Sequence, residues 1–465
     1  MGVRGFNRRE FLGISAGLAA SGFVAPMIVE RVRGAEPASE KLRVAAIGVG
    51  GRGSGIGEQA AALGNLVACC DVHAGNAKRF AEAIERKHGN KVRVYGDYRE
   101  MLAQEKELDA VTIGTPDHWH VKIAIDAMKA GRHVYSEKPL TLTYEEGSIV
   151  CEALAKYQKI FQVGTQQRSE FDARFLKAVA IARSGRLGKK LKAISSVGKA
   201  ASRSADKNKP FGPFETGKPP AELNWDLWLG QAPKVEFCKE RISWNFRWWF
   251  EYSGGQVTDW GVHHTDIAFW ALAGADGQAV AAEGTGKFMG VEREKVLAFL
   301  SGKVPANEMP QAWNVAHEFD VAITLSTGHI IQLISGENEL RIEGEDGRIR
   351  VNRGLLTGKP VEEVDKDPKA KKEIEELMAQ IYGGSLPSGG LPHMQNFFDC
   401  IKSGKQPVAN VPDHVRSVNA CHLANIALLT GRKVAYDPKA GNFGNDAECN
   451  GLMKRARRPE YDIEI

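Results

Sequence analysis

Leu42-Arg43-Val44-Ala45-Ala46-Ile47-Gly48-Val49-Gly50-Gly51-Arg52-Gly53 runs an apolar strand pattern straight into a Gly-x-Gly-x-x-Gly turn, and a helical pattern continues from Gly55 to Leu63. The glycines permit a tight turn and let the backbone approach a pyrophosphate, whose charge the helix N-terminus meets with amide donors. Asp71 stands 23 residues after Gly48, at the end of the next apolar run. Its carboxylate can accept from both ribose hydroxyls and would repel a 2′-phosphate. Gly48, Gly50, Gly51, Arg52, Gly53 and Asp71 therefore read as dinucleotide contacts, with NAD preferred over NADP. Arg52 could soften that preference by pairing with phosphate.

Working outward, short apolar runs alternate with helical patterns as far as Val163. The runs are Leu42–Ile47, Leu66–Cys70, Val92–Tyr95, Ala110–Ile113, His133–Tyr135 and Ile160–Val163. Between them lie Gly55–Leu63, Ala74–Lys87, Tyr98–Glu105, Val121–Ala130 and Tyr144–Lys156. Such alternation implies a parallel sheet covered on both faces, with ligands collecting at the carboxyl ends of its strands. Residues 41–165 are read as this first domain.

After Gly164 the texture changes. A helical stretch, Phe171–Ala182, and a strand-like Leu191–Val197 precede a Pro/Gly-rich region from Lys207 to Pro233 that carries Asn224-Trp225-Asp226-Leu227-Trp228. Strand candidates Phe319–Leu325, Ile330–Ser335, Glu339–Ile342 and Arg348–Val351 follow, with Ser326-Thr327-Gly328 and Asp346-Gly347 as hairpin-like breaks. Residues 166–390 thus read as an α/β domain with an open, mainly antiparallel sheet. Residues 391–465, with helical patterns at Pro392–Ser403 and His414–Thr430, read as helices packing back on the core.

Two constellations carry chemistry. Gly114-Thr115-Pro116-Asp117-His118-Trp119-His120 and Tyr135-Ser136-Glu137-Lys138-Pro139 end the fourth and fifth runs, where a doubly wound sheet presents the nicotinamide half of its site. Burial beside an oxidised nicotinamide would lower the pKa of Lys138 from its usual value of about 10.4. Farther on, Thr258 is the expected N-cap of a helix running to Leu272. Asp259 and His263, at i and i+4, would then share a face that Ile267, Trp270 and Ala271 continue inward. A carboxylate beside an imidazole raises the His pKa and orients the ring, which suits a proton shuttle; a polar pair capping a buried stripe is the plainer reading. No metal is expected, because neither His118/His120 nor His263/His264 has diagnostic ligand spacing. Trp248, Trp249 and Trp260 fit a sugar-stacking platform or a core equally well.

The ends of the chain bear on address and partners. Arg8-Arg9-Glu10-Phe11-Leu12 and the apolar run to Val29 have the order of a twin-arginine export leader, taken as residues 1–34. Val32-Arg33-Gly34 meets a cleavage rule only loosely, so an uncleaved leader is the other reading. Five arginines and two glutamates in that segment supply three of the five net positive charges, and the remainder carries no nucleic-acid footprint. The basic run Lys454–Arg458 reads as a solvated face. Apolar residues at 43% describe an ordinary globular chain, and a protein exported already folded would carry few disulfides among its seven cysteines.

Taken in order, the glycine fingerprint, Thr115-Pro116 with His120, Glu137-Lys138-Pro139 and Asp259-x-x-x-His263 resemble the Gfo/Idh/MocA family of oxidoreductases, over roughly Lys41 to the C-terminus. The resemblance implies a Rossmann domain followed by an α/β domain whose sheet often serves oligomer contacts, hence a homo-oligomer. It implies cofactor contacts from Thr115, Pro116, His120, Glu137 and Gln166, and substrate contacts from Lys138, Arg168, His263 and His264. Lys138, Asp259 and His263 would act on a sugar or polyol hydroxyl. Asn224–Gly230 and the His263-His264 doublet resemble an exported branch of that family. Export favours a captive NAD, because no obvious pool outside the cytoplasm reoxidises a soluble nicotinamide. Three readings follow: a sugar dehydrogenase with His263 as base and Lys138 polarising the oxygen, or those roles exchanged; a redox-neutral NAD-dependent glycosidase; and a non-catalytic sugar-binding protein.

Overall fold

The computed structural model describes residues 41–200, 208–274, 276–386 and 392–465. The expected export leader, residues 1–34, lies outside these described residues. Six parallel strands form the first sheet: β1 (Arg43–Ile47), β2 (Asn65–Cys70), β3 (Arg93–Tyr95), β4 (Ala110–Ile113), β5 (His133–Ser136) and β6 (Phe161–Val163), in the order β3-β2-β1-β4-β5-β6. The central strands are buried on both faces, as strands covered by helices must be: Val44, Ala45, Ala110 and Val111 expose nothing. The strand order reverses between β1 and β4, which opens the crevice where such sheets bind ligands.

Two glycines make the first turn possible. Gly48 sits at φ +73°, in the left-handed region. A Cβ on Gly53 would lie 1.7 Å from the Gly48 carbonyl oxygen, so the helix Gly51–Leu63 can start against the strand end only without a side chain there.

The second sheet has eight strands. They are β7 (Lys192–Val197), β10 (Ala279–Phe288), β11 (Ala316–Leu325), β12 (Ile330–Ser335), β13 (Glu339–Gly344), β14 (Gly347–Val351), β15 (Leu356–Thr357) and β16 (Val434–Ala435). The order is β15-β14-β13-β7-β12-β11-β10-β16, and β8 (Thr216–Gly217) pairs with β9 (Phe237–Cys238) separately. All neighbouring pairs of the large sheet are antiparallel except β7 and β12. The expected mainly antiparallel sheet is present, with β7 inserted from far upstream between β12 and β13.

β10 escapes sequence reading because Ala-Val-Ala-Ala-Glu-Gly-Thr-Gly-Lys-Phe is poor in the branched and aromatic residues that mark strands. Its small residues have another use. A Cβ on Gly286 would come within 3.0 Å of Leu428, so the bare backbone lets the helix Val411–Thr430 lie close on β10. That helix is buried along most of its length and packs on the helices Gly261–Leu272 and Tyr144–Tyr157 as well.

Two expectations need correction. Thr258 is not an N-cap: the helix begins at Gln256 behind Gly255 (φ +72°), and the Thr258 hydroxyl donates back to the Gly255 carbonyl at 3.3 Å. The helix is also broken, as Gln256–Asp259 and then Gly261–Leu272, with Trp260 between. Lys454–Arg458 is a solvated face only in part, at Lys454 and Ala456. Arg458 donates to Asp226 Oδ1 (2.6 Å) and the Asp226 carbonyl (2.9 Å), Arg457 pairs with Glu146 at 3.4 Å, and both side chains are largely covered. All seven cysteines are free thiols.

Candidate active site

The carboxyl edge of the first sheet gathers the fingerprint residues. Asp71, just past β2, accepts from Val49 N (3.0 Å) through Oδ2 and from His73 N (2.8 Å) through Oδ1. Burial pushes its carboxyl above the usual range, although these amides pull it back. Each carboxylate oxygen retains a second acceptor direction, as a ribose diol requires. A cleft of about 660 Å³ opens beside Asp71, walled by Val72, Gly96 and Leu227. The Asn-Trp-Asp-Leu-Trp stretch is held there by Asn224 N donating to the Val72 carbonyl at 2.9 Å, and Asn224 caps its short helix. Around Gly51 an added Cβ would meet nothing, and the Thr115 hydroxyl is covered and orphaned. This cradle, amide-lined and open, with a diol acceptor at its far end, fits NAD.

Next to it, Arg52 Nε donates to Glu137 Oε1 at 2.9 Å, and Gln166 Nε2 donates to the same oxygen (2.9 Å) and to Tyr135 OH (3.1 Å). Pro116 and Thr115 line the loop after β4. His120 is buried with its ring between the Pro139 carbonyl (2.7 Å) and the Thr115 carbonyl (2.9 Å). It brackets the β4 and β5 loops together, with both ring nitrogens engaged.

Lys138 extends from β5 toward the second domain. Its Nζ donates to Asp259 Oδ1 at 2.6 Å and to the Asp259 carbonyl at 2.9 Å. Arg247 Nε lies 3.1 Å from the same Asp259 oxygen. Burial opposes ionisation of Asp259, but Arg247 and Lys138 outweigh it and hold the carboxyl down at about 2.

The expected Asp259–His263 pair is therefore replaced. Asp259 is claimed by Lys138 and Arg247, while His263 faces Arg353, whose Nη2 is 3.3 Å from His263 Nε2. Burial, with Lys138 and Arg353 adding positive charge, pushes the His263 pKa well below 6.5, opposite to the expected rise. The imidazole is neutral at neutral pH, and its Nδ1 has no partner. Arg353 also stacks over Trp260 (4.5 Å) and Phe171 (4.8 Å). Trp260 thus belongs to the site, whereas Trp248 and Trp249 are fully buried core.

Two expected substrate contacts are spent elsewhere. Arg168 is buried, bidentate to Asp266 (2.6 and 2.9 Å), and bound to the Val408 carbonyl (3.0 Å) and Asp413 (3.2 Å). It joins the turn Gln166–Arg168 after β6 to the helices Gly261–Leu272 and Val411–Thr430. His264 points to Asn338 Oδ1 (2.5 Å) and is buried, with burial pushing its pKa down to about 4.

Arg247, Arg353 and Asp117 are the site residues that sequence reading missed. Asp117 lies in the loop after β4, with no local sign of a role in its neighbours. It accepts from Ser253 Oγ at 2.6 Å, and burial raises its carboxyl to about 7 against the opposing Arg247 and Lys138 charges. Arg247 and Arg353 lie in segments with no motif, 109 and 215 residues beyond Lys138 in the numbering. Only folding brings them to it.

Known proteins share this fold. Residues 42–165 match the model of an oxidoreductase family with an NAD-binding Rossmann fold, and residues 183–285 and 367–463 match that family's C-terminal alpha/beta domain. An alpha-N-acetylgalactosaminidase of Shewanella oneidensis is 39% identical over 129 residues, which take in 26% of this chain and 28% of that protein. The chain thus matches little more than a quarter of that relative's length. Among solved structures, an aldose-aldose oxidoreductase from Caulobacter crescentus complexed with glycerol superposes at TM-score 0.57, with 16% identity over 85% of this chain and 100% of that one. The WlbA dehydrogenase from Bordetella pertussis, in complex with NADH and UDP-GlcNAcA, gives 0.56, with 17% identity over 86% and 99%. At such identities the likeness is one of fold. With both of its domains matched, the chain belongs to the Gfo/Idh/MocA family of NAD-binding oxidoreductases.

Proposed function

We propose that this protein oxidises a sugar or polyol hydroxyl by hydride transfer, with NAD held tightly through the cycle. The observation that carries the reading is the Lys138 ammonium, pinned by Asp259 at the edge of β5 and flanked by a neutral His263. Bound NAD supplies the hydride acceptor. Two of the three Lys138 donors are taken by Asp259, so the third can hold the substrate oxygen and stabilise developing alkoxide charge. His263 takes the hydroxyl proton at Nε2, where the substrate displaces the long contact from Arg353. Trp260 offers the sugar an apolar face. Arg52, Glu137 and Gln166 fix the nicotinamide side of the cradle.

Fluorescence of the bound nicotinamide, followed while single sugars, polyols and glycosides are added, tests the reading. Appearance of the reduced-cofactor signal with at least one of them is expected. Demonstrable sugar binding with no such signal for any would leave a non-catalytic binding protein instead.

A second reading rests on the 39% identity to an alpha-N-acetylgalactosaminidase within part of the chain. Transient oxidation, elimination, hydration and re-reduction would cleave a glycoside with no net redox change, using the same residues. Product analysis without added NAD separates the two: a free sugar marks the glycosidase, a keto-sugar the dehydrogenase.

The sequence of Arg8-Arg9-Glu10-Phe11-Leu12 supports export by the twin-arginine route to the periplasm, with NAD loaded before transport. Replacing Arg8 and Arg9 together by Lys should retain the protein inside the cell; unchanged export on fractionation would remove this part of the reading. The large sheet's outer face is the surface for self-association into a homo-oligomer, which sedimentation of the intact protein reads directly.

A further inference from the structure

Away from the dinucleotide cradle, the C-terminal segment closes over a cavity of about 700 Å³. That is the size of a small-molecule site. One wall is apolar, formed by Leu142, Ala232, Phe299 and Leu300. The other carries charge, and the charge does not balance.

Three acids reach the wall, and each is engaged. Glu146 accepts from Leu142 N at 2.7 Å and faces Arg457 at 3.4 Å. Glu251 accepts from Arg241 (3.0 Å) and Asn314 (2.7 Å), and Glu448 faces Arg432 at 3.5 Å. Arg455 is different. It lines both this cavity and the narrower one behind it, lies 5.5 Å over the Phe250 ring, and has a covered Nη1 without a hydrogen-bond partner. Burial lowers its pKa to about 10, although Glu146 and Glu251 oppose the change. Lys303 and Lys454 stand exposed at the rim.

A desolvated guanidinium without a paired carboxylate is costly, and an anion brought to it recovers that cost. Meanwhile Arg457 and Arg458 in the same run are consumed as anchors. We propose that this cavity is a second binding site, for an organic anion whose carboxylate, sulfonate or sulfate head meets Arg455 while its apolar body lies against Leu142, Phe299 and Leu300.

Calorimetric titration of the full, NAD-loaded protein tests this with hexanesulfonate and hexanoate against hexanol and inorganic sulfate. Saturable one-site binding of at least one organic anion is expected, with hexanol and sulfate each at least tenfold weaker. Arg455→Met should weaken the anion at least tenfold while the melting temperature and bound cofactor persist. Should that variant fold poorly, Lys303→Glu at the exposed rim should weaken the same ligand several-fold. Absence of saturable binding, sulfate binding as tightly as the organic anions, or undiminished binding by a folded variant would overturn the proposal.

Discussion

Lys138→Ala is expected to lower turnover by about 10²–10⁴-fold, the range seen when a positioned proton-transfer group or oxyanion donor is removed. The loss should fall on kcat and kcat/KM together, because the charge that Lys138 meets develops only as hydride leaves. The fold should survive: Arg247 remains beside Asp259 at 3.1 Å, so the carboxylate is not left alone. Cofactor content should be unchanged, since the cradle is built from Gly48–Gly53, Asp71 and Glu137. Turnover is read on the sugar identified by the fluorescence screen. Wild-type-like turnover in a protein that still carries NAD would remove Lys138 from the mechanism.

Steep acid unfolding below about pH 6 is the second large effect. Seven histidines have buried rings: His118, His120, His263, His264, His393, His414 and His422. Burial lowers the pKa of every one, to about 4 for His264, His393 and His414 and about 3 for His118 and His422. A depressed folded value means that the contribution to stability is complete above the unfolded value near 6.5 and is lost as pH falls toward the folded values. Asp117 works the other way: its carboxyl, raised to about 7, gains a proton in the folded state and offsets roughly one histidine. Glu146, also raised by burial, offsets a further part. Asp71 and Glu170, raised by burial as well, offset a little more, yet at pH 5 the unfolded chain still binds more protons than the folded one, so stability falls as pH falls. Each proton of that imbalance is worth about 1.4 kcal/mol per pH unit, against total stabilities of about 5–15 kcal/mol, so a few such groups suffice to unfold the chain in acid. Melting temperatures at pH 7.5 and pH 5 check this, and values within a few degrees of each other would contradict it. The same argument bears on catalysis, because a neutral His263 remains a proton acceptor across neutral pH.

Legibility in the sequence followed the range of the interactions. The six strands of the first sheet were readable because each is a short apolar run bounded by a helical pattern, and β4 lies where Ala110–Ile113 placed it. The fingerprint was readable because its glycines answer local demands, a positive φ at Gly48 and backbone contact at Gly53. β10 was not readable: its strand state comes from pairing along β11 and from the helix lying on it, not from its own composition. The helix through Asp259 and His263 had the right periodicity, yet Lys138 and Arg247 take the Asp259 carboxylate and Arg353 comes to His263, so the two do not pair. Arg168 carries no local sign that Asp266 and Asp413 will claim it.

By itself, then, the sequence determined the fold class and the dinucleotide-binding first domain, and it singled out Lys138, Asp259 and His263 as the proposed reactive groups, because strand–helix alternation and turn chemistry are written in neighbouring residues. Tertiary structure alone decided who pairs with whom. Asp259 turned from His263 to Lys138 and Arg247, Arg353 came to His263, and Arg168 and His264 went to the core. Long-range packing sets which charges share a buried space, and in that space pairing and burial settle each proton.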